Sequence, residues 1–426
     1  KKGVSRQMLS VLQALFDKNT SRIVMKGWWS APLRHEAGVL QGSILSPMLY
    51  ATFIDELAGR LRECTNLRLG DRIINSFFYA DDIALCAASV DEMIESLQVC
   101  ESFSREYSFR FAPLKCDVLN NGMAGLDRLK LYGENLRIKP TFPYLGMEFD
   151  KYGINPVNHV QALIPKFLEC IRVLRSIGLN GYGHAIQVRR RIYECFARPK
   201  LEYGLCILPI TKGIDRLLEV AQHQALAAMF SVGHSTGYTA LEELAGVTPM
   251  PVRHETLNAS WKARVWTLGS NFLVTHARQH SRSNPISIFK IGAEETSRTW
   301  ARYNLQTRWQ GHPVEQVSEE QRKDLILDIR KWREKLASRE RRMKQPEQVF
   351  NISAFRMWTA REIDKIPSCQ GRRILTLWII KRLVGEPKPC TRCPHGRASA
   401  RHLQECCNLN IDHLIRSGEF VEAVVA

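Results

Sequence analysis

The chain has 426 residues, too many for one compact core, so two or more folding units are expected. Hydrophobic residues make up 45% and charged residues 24%, a globular balance that excludes a wholly disordered or collagen-like chain. Sixty Lys and Arg against 43 Asp and Glu leave a formal net charge of +17, which points to a polyanionic partner, nucleic acid before membrane. No apolar run approaches the roughly 18 residues of a membrane span. Twelve cysteines in a chain this long fit a reducing, intracellular compartment with one metal cluster rather than a disulfide framework.

Val4 to Phe16 carries Met8, Val11, Leu12, Leu15 and Phe16 at helical spacing. A helix this close to Lys1 suggests a fragment of a longer polyprotein. Gly38-Val39-Leu40-Gln41-Gly42-Ser43 follows. Its two glycines bracket a polar Gln just before a helix, a segment able to bring backbone close to a ligand. Ser46-Pro47 reads as N-cap and first helical residue, with Leu49, Tyr50, Phe53, Ile54, Leu57 and Leu61 on one face.

Two β-prone apolar runs, Ile73 to Tyr79 and Ile83 to Cys86, flank Asp81-Asp82 and predict a hairpin with both acids at its tight turn. Aromatic neighbours would hold the two carboxylates at the lip of a buried sheet. Adjacent acids repel there unless a cation lies between them, and hard divalent ions with oxygen ligands suit such a pair. Ser89 to Glu92 has capping-box spacing before a helix that buries Met93, Ile94, Leu97 and Cys100.

From Val160 the period is helical, with Pro165 marking a late start or a kink. Gly178 to Gly183 breaks the pattern. The run Val188-Arg189-Arg190-Arg191-Ile192-Tyr193 then reads as a helix lying along a phosphate backbone. Leu217 to Phe230 and Thr239 to Ala245 are further helical stretches, with Glu242 and Glu243 read as surface charges. Residues 278 to 318 hold polar breakers, and 319 to 344 alternate in charge like an exposed helix. Near the end, Cys390, Cys393 and His402 with Cys406 or Cys407 have the density of a Cys3His zinc site, and His395 is a substitute ligand.

Gly38 to Pro47 followed by Phe78-Tyr79-Ala80-Asp81-Asp82 resembles the reverse transcriptase of non-LTR (LINE-like) retrotransposons. Ala112-Pro113-Leu114-Lys115-Cys116 resembles that family's lysine-bearing palm segment, with Ala112 where Asn is usual. Phe142-Pro143-Tyr144-Leu145-Gly146 resembles its primer-grip region, and Arg198 to Gly204 a recurrent thumb segment. The order of these segments is the family's own.

The resemblance implies that Asp81 and Asp82 are Mg2+ ligands and catalytic residues, and that Lys115 neutralises or protonates the leaving pyrophosphate. It implies that Gln41 and Gly42 touch template or nucleotide, and that Tyr79 and Ala80 lie at the primer end. Tyr144 and Gly146 would position the primer strand, and Arg189 and Arg190 would meet phosphates. It favours Cys407 over Cys406 as the fourth Zn2+ ligand, beside Cys390, Cys393 and His402.

The family's third carboxylate is not matched, because Asp17 lacks its strand context, so the chain by itself is expected to be inactive. The implied fold is α+β. A partial palm, an antiparallel sheet with helices, spans 1–155 and a helical thumb 156–277. A linker with a charged helix spans 278–365 and a zinc module 366–426. The implied partners are an RNA template, a DNA primer or target and deoxynucleotide triphosphates, with a nuclear location. A non-catalytic nucleic-acid-binding remnant is the alternative.

Overall fold

The computed structural model describes residues 3–266, apart from 18, 35–37, 181–183 and 234–235, and scattered positions between 268 and 331. The linker and charged helix expected over 278–365 lie largely outside those residues, and the module expected over 366–426 wholly so. The chain divides into two compact units: residues 1–68 with 73–139, and residues 69–72 with 140 onwards. The sequence boundary at 155 thus differs from the structural division, which assigns the hairpin over 141–150 to the second unit. Helices and small sheets are mixed, an α+β chain, and among the described residues no sheet exceeds three strands.

In the first unit, helix α1 spans Arg6–Phe16 and starts where Met8 N–H donates to Ser5 Oγ at 3.2 Å. None of its side chains is buried. A ribbon follows, pairing Thr20–Ser21 with Leu33–Arg34 and Val24–Met25 with Trp28–Trp29. It reverses at Lys26-Gly27, both at positive φ (47° and 83°), the backbone of a two-residue hairpin turn.

Helices α2 (Ser46–Leu61) and α3 (Val90–Glu106) then pack together. Ile54, Leu57 and Leu61 of α2 meet Cys100 and Phe103 of α3, and burial pushes the Cys100 thiol up to about 12. The apolar spacing read from the sequence is the face that is buried. Arg60 joins the two helices at the surface, reaching Glu106 at 2.6 Å and Glu56 at 2.5 Å.

The Ser89 cap is real: Glu92 N–H donates to Ser89 Oγ at 3.2 Å. The reciprocal bond comes from Ala88 N–H, at 3.0 Å, and Glu92 also accepts from Thr65 Oγ1 at 2.8 Å. These hydrogen bonds hold its carboxyl below the ordinary range. Strand Asp117–Leu119 pairs with Arg137–Lys139 in parallel, not in the antiparallel manner expected of a palm sheet.

The second unit starts with an antiparallel hairpin, Thr141–Tyr144 with Met147–Asp150, extended by Gly153–Ile154. Helix α4 runs Pro156–Ser176, capped by Asn155, whose Oδ1 accepts from the Val157 and Asn158 amides at 3.1 Å. It therefore starts before Val160, and Pro165 sits in its interior rather than at its start.

Helix α5 (Ile186–Ile192) widens into a π-turn at Tyr193–Ala197 and continues as α6 (Arg198–Glu202). Pro199 explains the widening: it has no N–H for a regular turn, and its ring crowds the carbonyl four residues back. Helices α7 (Lys212–Phe230), α8 (Tyr238–Ala245) and α9 (Met250–Trp266) complete the unit, with α4, α8 and α9 all packing on α7. Among the described residues, no helix is long and apolar enough to cross a membrane.

A buried polar chain crosses this core. Tyr193 O–H donates to Gln222 Oε1 at 2.9 Å, and Gln222 Nε2 donates to Glu242 at 3.1 Å and to Thr248 C=O at 3.2 Å. Glu242, read from the sequence as a surface charge, is a buried member of this chain. Replacing Tyr193→Phe removes a donor but leaves Gln222 Oε1 enclosed. Urea unfolding is expected to show a loss of about 1–3 kcal/mol, the range for a stranded buried acceptor.

Candidate functional site

The hairpin of Ser76–Tyr79 and Asp82–Leu85 pairs Tyr79 with Asp82, so its two turn residues are Ala80 and Asp81. The expected Asp81-Asp82 turn is thus shifted by one: Asp81 is at the tip and Asp82 opens the second strand. Ala80 has φ 50°, a left-handed backbone that costs a residue with a β-carbon about 1–2 kcal/mol.

Register fixes where the acids point. Phe78, Ile83 and Leu85 pack on the α2–α3 core. The alternate residues Phe77, Tyr79 and Asp82 are exposed, with Tyr79 65% accessible. The sheet has two strands, so the carboxylates stand on an open face and turn, not on the lip of a buried sheet.

The Gly38–Ser43 segment is folded as a tight turn. Ser43 N–H donates to Leu40 C=O at 3.2 Å, and Gly42, at φ 88°, takes the position that demands left-handed backbone. Gln41 is exposed at its corner. Ser46, expected to cap α2, instead donates its hydroxyl to Leu40 C=O at 2.6 Å, tying the glycine turn to the start of that helix.

One turn along α2 lies Tyr50. Its phenol is held above the ordinary value, chiefly by burial and then by the negative charge of Asp81. Tyr50 packs on the same apolar cluster as Phe78 and Ile83 of the hairpin, and Ser46 at the start of α2 holds the glycine turn, so the hairpin and the glycine turn both meet α2. Lys115 is exposed on the short 3-10 turn Pro113–Lys115 that follows α3.

In the second unit, Tyr144 leads into a turn made by Leu145 and Gly146, whose φ values are 49° and 75°. Tyr203 locks that tip. Its hydroxyl donates to Leu145 C=O, and its ring would stand 3.3 Å from any β-carbon placed on Gly146. His159 Nε2 in turn lies 2.9 Å from Tyr203 C=O. Glu202 binds Arg253 at 2.7 Å, so Glu202 and Tyr203 hold the unit together.

The two arginines expected on phosphates separate. Arg189 is 3% exposed; its guanidinium donates to Met229 C=O at 3.3 Å near the end of α7 and lies 5.0 Å from the Phe230 ring centroid. It is a core cation satisfying a helix C-terminus, not a surface contact. Arg190 is exposed and lies 3.4 Å from Glu194. Cys390, Cys393, His402 and Cys407 lie outside the described residues, among which no cluster of three metal-binding side chains occurs.

Residues 4–149, the stretch holding the glycine turn and the acidic hairpin, match the reverse transcriptase (RNA-dependent DNA polymerase) family. This stretch is similar to a reverse-transcriptase segment, and its likeness to RNA-directed DNA polymerases of mobile elements supports the resemblance to non-LTR retrotransposon polymerases. The chain is 23% identical over 215 residues to the RNA-directed DNA polymerase from mobile element jockey of Drosophila funebris, covering 49% of this chain and 23% of that protein. It is 30% identical over 122 residues to the Retrovirus-related Pol polyprotein from type-1 retrotransposable element R2 of Nasonia vitripennis, covering 28% and 12%. A probable RNA-directed DNA polymerase from transposon BS of Drosophila melanogaster is 25% identical over 233 residues, covering 51% and 25%. The matches thus span a quarter or less of each relative's length.

The influence of the Asp81 charge on Tyr50 has a direct consequence. Asp81→Asn removes the charge that helps hold the phenol up, while burial remains. The Tyr50 titration, followed by NMR of ring-labelled tyrosine, is expected to move to lower pH yet stay above 10.0. An unmoved titration would mean that Asp81 faces away from α2.

Proposed function

We propose that this chain is the palm and thumb portion of a non-LTR retrotransposon reverse transcriptase that extends a primer by template-directed nucleotidyl transfer. The supporting observation is that the acidic hairpin, through Phe78 and Ile83, and the Gly38–Ser43 turn, through Ser46, both pack on α2. Asp81 and Asp82 offer hard oxygen donors from one exposed tip. They fit Mg2+, which is commonly held by one or two carboxylates and completed by water and substrate phosphates. When bound, the metal supplies charge neutralisation for the attacking and leaving oxygens of phosphoryl transfer.

In this reading the chain's own groups position the reactants. Asp81 and Asp82 hold the ions. Ala80, with its single methyl, lets the primer 3′-hydroxyl approach the turn beside Tyr79 and attack the α-phosphate of a deoxynucleotide. Gln41 and the backbone at Gly42 face the template or the nucleotide. Lys115 donates a proton to the departing pyrophosphate. Tyr144 and Gly146 guide the primer strand, and Arg190 meets its phosphates. Cys390, Cys393, His402 and Cys407 hold Zn2+ in a knuckle that grips RNA template or DNA target, and the protein works in the nucleus.

The deciding experiment is primer extension on an RNA template with the complete polymerase that contains this chain. Asp81→Ala and Asp82→Ala are each expected to reduce incorporation by a factor of roughly a hundred or more while template binding persists. Incorporation that survives Asp81→Ala would defeat the assignment. For the knuckle, elemental analysis of the purified chain is expected to give one zinc per molecule, lost in Cys393→Ser; a metal-free wild-type chain would remove zinc from the proposal.

A further inference from the structure

The ribbon of residues 20–34 has a composition that the polymerase reading does not use. Between Asp17 and Glu36 the sequence carries Lys18, Arg22, Lys26, Arg34 and His35 and no carboxylate. The ladder sets Val24 opposite Trp29 and Met25 opposite Trp28. Successive residues point to opposite faces, so the two indoles stand on the two sides of the ribbon. Neither side is covered: Trp28 and Trp29 are each 61% accessible and Met25 65%. The turn at Lys26-Gly27 places a cationic residue at the tip, next in sequence to the Met25–Trp28 pair.

We infer that this ribbon is a stacking platform for single-stranded RNA, gripping unpaired template outside the duplex. Tryptophan is costly to leave in water, and exposed large apolar groups in a cluster mark interaction surfaces. The surrounding charge selects the partner: cations without any acid suit a phosphate backbone, in a chain whose net charge is +17. A base in a single strand has a free face for an indole, whereas a base inside a duplex is already stacked. The pairing of rings and cations thus favours the single strand. The choice of RNA rests on the polymerase reading above.

The test uses the whole 426-residue chain and a labelled single-stranded RNA of about 12 nucleotides, within the usual site size of such proteins. The double change Trp28→Ala with Trp29→Ala is expected to raise Kd roughly tenfold or more, because stacking is lost on both faces. Trp28→Phe with Trp29→Phe is expected to retain most of the affinity. Lys26→Ala is expected to reduce the salt slope by about one charge. Affinity for a blunt duplex is expected not to change in the alanine variant.

A second measurement needs no variant: RNA is expected to protect Trp28 and Trp29 from N-bromosuccinimide oxidation, mapped by mass spectrometry. RNA binding by the wild type with equal affinity in the alanine variant, or without protection of the indoles, overturns the platform and leaves the polymerase reading intact. A wild-type chain that binds no RNA defeats the nucleic-acid reading itself. A wild-type oligomer that falls apart in the alanine variant would mark the ribbon as a protein interface, also overturning the inference.

Discussion

A two-stranded sheet can bury only one face, and the hairpin of residues 76–85 commits that face to Phe78, Ile83 and Leu85 against α2 and α3. Every other property of the acidic tip follows from this choice of register. Because side chains alternate with a period of two, Asp82 is held on the solvent side next to Tyr79. A slip of one residue would drive the Asp82 carboxylate into the Leu57–Phe103 core and expose the phenylalanine. The apolar contacts that stabilise the hairpin are therefore also what aim its carboxylates. The same helix that receives Phe78 carries Tyr50 and receives the glycine turn through Ser46, so one packing decision gathers three sequence-distant segments.

The second unit shows the complementary strategy, in which polar groups rather than apolar ones fix geometry. Its helices could slide along one another on aliphatic contacts alone. The Tyr193–Gln222–Glu242 chain and the Arg189 contact on the last turn of α7 admit one register only, since any slip strands a buried donor or charge. Tyr203 extends this logic to the Thr141–Asp150 hairpin. Its hydroxyl holds the Leu145 carbonyl of a turn whose positive φ values give it little other support. Tyr203, in the segment that resembles a recurrent thumb sequence, thus clamps a turn 58 residues earlier.

What was legible in the sequence was local. Apolar spacing located the buried faces of α2 and α3, because burial of a helix face leaves its period in the residues themselves. The acidic hairpin was visible because two β-prone runs around a polar pair admit few other structures. The Ser89 cap was legible for the same reason, its partner being three residues away. The failures were of long range. Arg189 reads as a surface cation beside Arg190 and Arg191, and only Met229 and Phe230, forty residues on, make it a core residue. Glu242 was misread in the same way, since its partner Gln222 lies in another helix. Ser46 was given the commonest role for Ser before Pro, while its hydroxyl found Leu40 instead. The glycine turn's link to the acidic hairpin was legible only through the family resemblance; no spacing or period signals it, because it runs through α2, where Tyr50 reads as one more apolar position.

Ala80 shows how such a tip tolerates strain. Glycine would adopt φ 50° at no steric cost, yet it would also widen the unfolded ensemble, by about 0.4–1 kcal/mol relative to alanine. The steric cost of the β-carbon is of similar size, so the balance is set by what surrounds the turn. Here the pairing of Tyr79 with Asp82 and of Phe78 with Ile83 closes the loop on both sides, and the apolar contacts behind it leave the backbone no relaxed alternative within the same register. A methyl group at the tip also limits the conformations open to the neighbouring Asp81 backbone, which glycine would not. The strained residue thus narrows the range of positions from which the Asp81 carboxylate can act, and it does so one residue away, where nothing polar needs to be buried.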